Sequence, residues 1–355
     1  MHIVGLVAGA TGIAGRGVCQ ELLARGAEVH GLSRNAEGLP AGVRHVAADL
    51  LDPEKLEMAL GGLKPTHVYI ATWSRQATEA ENIEVNSRMV RNLLAGVAAA
   101  RTVKHVALVT GLKHYLGPFE AYVKAGAPPP TPLREEQPRL PLPNFYYAQE
   151  DEVYAAAKRD GFTWSVHRPH TIIGKAIGNA MNMGTTLAAY ASICKEVGRP
   201  FTFPGSAAQW NGLSDMTDTR ILAKQLLWAS TRDLAKNEAY NIVNGDIFRW
   251  SWMWPRLAAW FGVEWKGFGG ETVPLEGQMA NDAPVWRGMA KTFGLVEPDL
   301  WRVASPWHTD LDLSRPIEVM TDMALSRKGG FLAYQDTREA FGDLFAALRA
   351  DHVIP

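Results

Sequence analysis

Cysteine is nearly absent. Cys19 and Cys194 are the two in 355 residues, so no disulfide framework holds this chain, and the reduced thiols suit a cytoplasmic location. Net charge is missing too. The 36 Lys+Arg and 37 Asp+Glu leave a formal −1, which removes the electrostatic case for nucleic acid or an anionic membrane as partner. No apolar run approaches the roughly 20 residues that cross a bilayer. The first residues read as a buried strand, not as a signal peptide. Metal-ligand spacings are absent as well: His308 with Asp310 and Asp312 comes nearest, on loop-like sequence, and no metal is expected. Repeats and low-complexity segments do not occur.

What is present is an ordinary globular balance, 47% hydrophobic and 21% charged, on a chain long enough for one large domain or two intimate ones. Trp is unusual at 12 copies, most of them after residue 200. That implies an aromatic second half, as core or as an apolar pocket.

Short apolar runs recur with helical patterns between them. IVGLVAG (3–9), EVHGLSR (28–34), VRHVAADL (43–50), HVYIAT (67–72), HVALVTG (105–111) and WSVHRP (164–169) read as strands. Such βαβ alternation predicts a Rossmann-type α/β fold, a doubly wound parallel sheet with helices on both faces. AGAPPPTPLREEQPRLPLP (125–143) is too rich in proline for regular structure and reads as a surface loop. After Pro169 the alternation weakens. We expect a nucleotide-binding domain over 1–172 and a mostly helical substrate-binding part over 173–355, with 212–245 returning to the Rossmann core through the strand AYNIVNG. The later part is expected to cap the C-terminal edge of the sheet, where open α/β sheets bind ligands.

VAGATGIAG places Gly9, Gly12 and Gly15 between the first strand and the first helix. Glycines there permit a tight turn and close approach to a pyrophosphate, with the helix N-terminus facing the phosphates. The second strand ends in GLSRN. An NAD enzyme usually carries an acid at that point. Ser33 and Arg34 instead offer a hydroxyl and a fixed cation, which suit the 2′-phosphate of NADP. The alternative is a solvated surface arginine. Asp49 and Leu50 end the third strand. The carboxylate either accepts from the adenine amino group or caps the next helix.

NFYYAQED (144–151) raises the catalytic question. Short-chain dehydrogenases follow a catalytic tyrosine with a lysine four residues on. Here Glu150 follows Tyr146 and Asp151 follows Tyr147. The chain's literal Tyr-x-x-x-Lys pair is Tyr154 and Lys158. Tyr154 lies too close to the next strand to start a helix of normal length, so this pair reads as an amphipathic helix end. Glu150 cannot replace a lysine, because a carboxylate raises a phenol's pKa. It and Asp151 read as carboxylates favouring the helix dipole. A cation from elsewhere is the remaining route, and Lys113 in TGLKHYLGPFE is the candidate. From spacing alone it is equally an exposed loop lysine.

TGLKHYLGPFE and NFYYAQEDEV together resemble the progesterone 5β-reductase/iridoid synthase family of atypical extended short-chain dehydrogenases. THVYIATWSRQATEAENIEVNSRMVRNLL (66–94), WASTRDLAKNEAYNIVNGDIFRW (228–250), WHTDLDL (307–313), SRKGGFLAYQDTREAF (326–341) and the terminal VIP are similar to that family too. The resemblance implies NADPH-dependent reduction of carbon–carbon double bonds conjugated to a carbonyl. It assigns catalysis to Lys113 and Tyr146, and implies a small hydrophobic enone or enal as substrate and a homodimer as assembly. Further cofactor contacts are expected from Thr11, Ile13, Thr72, Trp73, Thr110, Gly111, Tyr146 and Pro169. Trp73 is expected at the nicotinamide pocket, with core packing as its alternative, and Phe119, Met181 and Phe331 as further pocket walls, each with plain core as its commoner alternative. His114 reads as a structural hydrogen-bonder. RPHTIIG (168–174) departs from the family, with His170 and Thr171 where a glycine is expected soon after Arg-Pro, which bears on substrate identity more than on chemistry. Two rival readings stand beside this one: an NADP-dependent carbonyl reductase or epimerase of the same fold, and a non-catalytic NADP sensor.

Overall fold

The computed structural model describes residues 2–118, 130–179 and 181–355. They form two compact units. The first comprises Met1–His170, Thr219–Ile242 and Thr321–Ala333; the second comprises Thr171–Asp218, Val243–Met320 and Tyr334–Pro355. The returning segment is thus shorter than 212–245, and a second return at 321–333 was not anticipated.

In the first unit the elements run β1 (Val4–Ala8), α1 (Ile13–Ala24), β2 (Glu28–Ser33), β3 (Arg44–Ala47), α2 (Pro53–Leu60), β4 (His67–Ile70), α3 (Glu79–Ala98), β5 (His105–Val109), α4 (Lys113–Leu116), α5 (Phe145–Asp160) and β6 (Thr163–Pro169). In the second unit β7 (Ile172–Ile173), α6 (Met183–Val197), β8 (Phe201–Thr202), α7 (Ala207–Asn211) and β9 (Thr217–Asp218) follow. The chain then returns to the first unit with α8 (Thr219–Thr231) and β10 (Glu238–Ile242). The seven-stranded sheet is parallel in the order β10-β6-β5-β4-β1-β2-β3. Its order reverses between β1 and β4, the place where such sheets bind nucleotides. The expected strands are all present; the first five are trimmed where their last residues turn into loops, while β6 spans its whole run and begins one residue earlier, at Thr163.

The two faces of the sheet differ. Toward α3 and α5, Val68, Ile70, Val106 and Leu108 build an apolar core with Leu93, Leu94 and Val153. The other face carries a buried polar ladder. His105 Nε2 meets Ser165 Oγ at 2.9 Å, Ser165 meets His167 Nε2 at 2.9 Å, and His167 Nδ1 meets Gln225 of α8 at 2.8 Å. Tyr69 and Ser230 of α8 add another bond of 3.0 Å. Burial pushes His67 and His167 down to about 4 and His105 well below its ordinary value, so the ladder is built of neutral rings.

The proline-rich stretch is less superficial than its composition implies. Among its described residues Leu133 is fully buried, and Glu135 accepts from the backbone N–H of Asn241 (2.9 Å) and Leu325 (2.7 Å). These bonds strap it to β10 and to the 321–333 return.

The second unit contains further α9 (Trp250–Phe261), β11 (Trp265–Lys266), α10 (Leu275–Gln278), α11 (Ala283–Phe293), α12 (Leu300–Val303), α13 (Pro306–Leu313) and α15 (Thr337–Ala350), while α14 (Ala324–Lys328) belongs to the first. Its tryptophans are core in large part: Trp250, Trp254 and Trp286 are buried, and Trp254 stacks on Phe201 at 4.0 Å. His308 and its two acids do other work there. Asp310 accepts from the N–H of Leu275 and Glu276, and Asp312 pairs with Arg315 and Thr171. No helix among the described residues is long and apolar enough to cross a membrane.

Candidate active site

Beyond β1 the chain makes the turn its glycines permit. Gly9 has φ +83°, and a Cβ added to Gly15 would stand 2.1 Å from the Gly9 carbonyl oxygen. That contact forces the start of α1 against the turn and leaves backbone where a side chain would otherwise fill the space. A Cβ on Gly9 would also meet Thr72 at 2.8 Å, so the end of β4 lies against the same turn. Gly12 precedes α1 with no side-chain cap on the helix N–H groups. Thr11 and Gly12 are half-buried and Ile13 is buried. This is a dinucleotide cradle by its own geometry.

At the end of β2, the Ser33 hydroxyl donates to the Asn35 carbonyl at 2.6 Å and meets His45 Nε2 at 3.1 Å, while Arg34 is exposed. The sequence reading missed Arg16, in the first turn of α1, whose guanidinium donates to the Gly38 carbonyl in the loop after β2. Asp49 is not a helix cap. Asp52 caps α2 through the Lys55 N–H, and the exposed Asp49 carboxylate takes the N–H of Leu51 at 2.9 Å. Leu50 is buried.

The catalytic candidates come from separate segments. Past β5 the chain folds into the single turn α4, and Lys113 at its start is buried, not exposed as a loop lysine would be. Its Nζ lies 4.6 Å from the centre of the Phe145 ring, 5.3 Å from Trp73 and 5.7 Å from Tyr146. Trp73 is half-buried and stacks on Phe145 at 5.4 Å. Burial pulls the lysine down to about 7; Glu79 opposes that, and Arg75 adds to it.

One residue joins the two segments. Asn144 caps α5 with its carbonyl oxygen, accepting from the Tyr146 N–H at 3.0 Å, while its amide donates to the Lys113 carbonyl at 2.8 Å. Glu79, at the start of α3, takes the Phe145 N–H at 2.7 Å. The loop carrying Trp73 is pinned to α3: Asn86 takes the Ser74 N–H (2.7 Å) and Asn82 the Gln76 N–H (2.8 Å). Tyr146 also faces the sheet edge, since a Cβ on Gly111 would meet its hydroxyl at 3.2 Å and the Pro169 carbonyl at 3.3 Å. The Thr110 N–H donates to the His167 carbonyl at 2.8 Å and holds β5 and β6 together beneath this group.

The acids after the tyrosines correct the sequence reading. Glu150 is 1% exposed, 2.7 Å from Arg139 and 3.7 Å from Arg168, and Asp151 pairs with Arg139 at 2.8 Å. Their role is to fasten the proline-rich strap to α5 and β6, not to favour the helix dipole. Tyr154 packs on Trp164 at 4.4 Å and Lys158 is exposed, both apart from the enclosure. His114 is structural: it meets the Gln137 carbonyl at 3.1 Å, and burial lowers it to about 4. Among the pocket residues, Phe331 is not brought to Lys113. It packs on Trp228 at 5.5 Å, in a cluster with Tyr240. Met181 is half-buried ahead of α6 in the second unit. Phe119 lies outside the described residues.

Fold and site together define a Rossmann-type protein of the extended short-chain dehydrogenase class, with a cradle for a nicotinamide dinucleotide. The Thermus thermophilus UDP-glucose 4-epimerase complexed with NAD superposes with TM-score 0.68 at 18% identity, covering 98% of this chain and 99% of that one. An epimerase from Methanothermobacter thermautotrophicus gives 0.72 at 15%, covering 99% and 93%. These neighbours share the fold. The PRISE-like Rossmann-fold domain model matches residues 55–355. An (S)-8-oxocitronellyl enol synthase of Nepeta cataria is 37% identical over 99% of this chain and 93% of its own length. A 3-oxo-Δ4,5-steroid 5β-reductase of Arabidopsis thaliana is 36% identical over the same shares. The chain belongs to the PRISE family.

Proposed function

We propose that this protein reduces the C=C bond of α,β-unsaturated carbonyl compounds with NADPH, at the site formed by Lys113 and Tyr146. The observation that carries the reading is their meeting within one aromatic enclosure, the lysine Nζ 5.7 Å from the tyrosine ring centre, although no lysine follows the tyrosine in sequence.

The glycine turn, Thr72 and the start of α1 hold the dinucleotide, and Ser33 and Arg34 favour NADP over NAD because no acid stands there to take the ribose hydroxyls. When bound, the reduced nicotinamide supplies a hydride to the β-carbon of the substrate. Tyr146 donates a hydrogen bond to the carbonyl oxygen as enolate charge develops on it. Lys113 raises the positive potential at the same place. Donors held ready in a site poor in water are worth about a hundred- to a thousandfold in rate. Solvent protonates the α-carbon afterwards, so neither residue is an obligatory proton donor. Trp73 and Phe145 wall the site and suit a small hydrophobic enone or enal.

Incubation with NADPH and 2-cyclohexen-1-one tests this. Cyclohexanone is the expected product; an allylic alcohol would support a carbonyl reductase instead. NADPH binding without turnover over a broad enone panel would support a sensor. Lys113→Met lowers activity, and Tyr146→Phe lowers it at least as much on weakly activated enones. Full activity of Tyr146→Phe on every enone would remove the assignment.

A further inference from the structure

We infer that Lys113 is also a nucleophile, whose amine condenses reversibly with an aldehyde carbon held among Trp73, Phe145 and Tyr146 to form a Schiff base. The amine is fixed in place. The residue is 5% exposed, its own carbonyl is tied to Asn144 at 2.8 Å, and three rings lie 4.6, 5.3 and 5.7 Å from Nζ. An acid for the condensation shares the enclosure, namely the Tyr146 phenol.

A nucleophilic lysine must be neutral, which desolvation or a neighbouring cation achieves. Both operate here. Burial chiefly, and Arg75 to a smaller degree, bring the amine to about 7 against the pull of Glu79. At pH 7 that leaves about half the amines neutral, against about 1 in 3,000 for a solvated lysine. The ring faces favour the ammonium by about 0.5–2 kcal/mol. That opposition reduces the neutral-to-charged ratio by about thirtyfold at most, which leaves a neutral fraction of about 1 in 30, still about a hundredfold above an ordinary lysine.

The chemistry balances without a redox partner. The nitrogen lone pair forms a C–N bond as the carbonyl π pair moves to oxygen, which takes a proton. The nitrogen gives up one proton to complete the carbinolamine; its pair then forms C=N as the C–O bond breaks, the oxygen takes a second proton and leaves as water, and the nitrogen releases its second proton. Tyr146 donates to the departing oxygen and recovers its proton from nitrogen. Aldehydes are the expected partners, because an aldehyde carbon is more electrophilic and less hindered than a ketone's. With an enal the protonated imine is conjugated to the C=C bond and makes the β-carbon more electrophilic. That consequence rests on the enone-reductase reading; the adduct itself does not.

The test uses the full-length protein at pH 7 with hexanal and cyanoborohydride, without cofactor, followed by peptide mass mapping. We expect one hexyl group on Lys113, added about a hundredfold faster than to the exposed Lys64 and Lys158. Lys113→Arg, which keeps the charge and cannot form the imine, loses the fast adduct. Labelling spread evenly over exposed lysines, or fast labelling that persists in Lys113→Arg, overturns the inference. Turnover of 2-cyclohexen-1-one by the same preparation separates the two ideas. Reduction without an adduct removes the Schiff base and leaves the reductase; an adduct without reduction does the reverse.

Discussion

Lys113→Met should make the protein more stable and less active. Burial holds the native amine at about 7, down from 10.5. The native state therefore disfavours the proton that the unfolded chain keeps. As pH falls from 10.5 toward 7 the unfolded chain binds that proton and the native chain does not, so stability is lost over this window. At 1.36 kcal/mol for each tenfold change, the full difference is worth about 4–5 kcal/mol. The ring faces at 4.6–5.7 Å return about 0.5–2 kcal/mol of it as cation–π attraction. Methionine fills the same volume and makes favourable sulfur–aromatic contacts. The variant should gain about 2–4 kcal/mol at pH 7 and lose about a hundredfold in kcat/KM. Urea denaturation of both proteins at pH 7 and pH 10 measures the first effect, and the gap should shrink by more than half at the higher pH. A variant less stable at pH 7, or a gap that ignores pH, would refute the reasoning.

Asn144→Ala removes the cap of α5, worth about 1 kcal/mol, and takes one of two donors from the Lys113 carbonyl, which keeps the Gly117 N–H, at a cost of about 0.5–1.5 kcal/mol more. Thermal melts should register the sum, and kcat/KM should fall about a hundredfold because both catalytic groups shift; an active, equally stable variant contradicts the joint. Arg34→Ala should weaken NADPH binding about 10- to 100-fold, the worth of a charge-assisted bond, and leave NADH binding unchanged; an equal loss for both cofactors sinks that assignment. Acid should unfold the protein through its histidine ladder. His67 and His167 are held near 4, below the unfolded 6.5, so each contributes stability above pH 6.5 that is lost as pH falls toward 4, about 3 kcal/mol apiece at most. Denaturation curves at pH 7 and pH 4.5 check this, and equal midpoints argue against it.

The sheet was legible because its strands are short, apolar and separated by helical periods. The glycine turn was legible because its spacing is local. What escaped is what depends on tertiary contact. Glu150 read as a dipole partner because nothing local shows Arg139 and Arg168 closing on it. Asn144 stands directly before a helix, but its bond to Lys113, 31 residues away, has no sequence signature. Glu79 and Phe145 were missed for the same reason. Phe331 was offered as a pocket wall with plain core as its commoner alternative, and it packs on Trp228. The burial of Lys113 could not be read from TGLKHYLGPFE, because a lysine after a strand is exposed in most settings.

The most direct test of the central claim follows the hydride. NADPH deuterated at the transferable position, given to the wild-type protein with 2-cyclohexen-1-one, should yield cyclohexanone with deuterium at the β-carbon, and Tyr146→Phe should slow that transfer. Deuterium on the carbinol carbon of an allylic alcohol, or β-labelling at an unchanged rate in Tyr146→Phe, would contradict it.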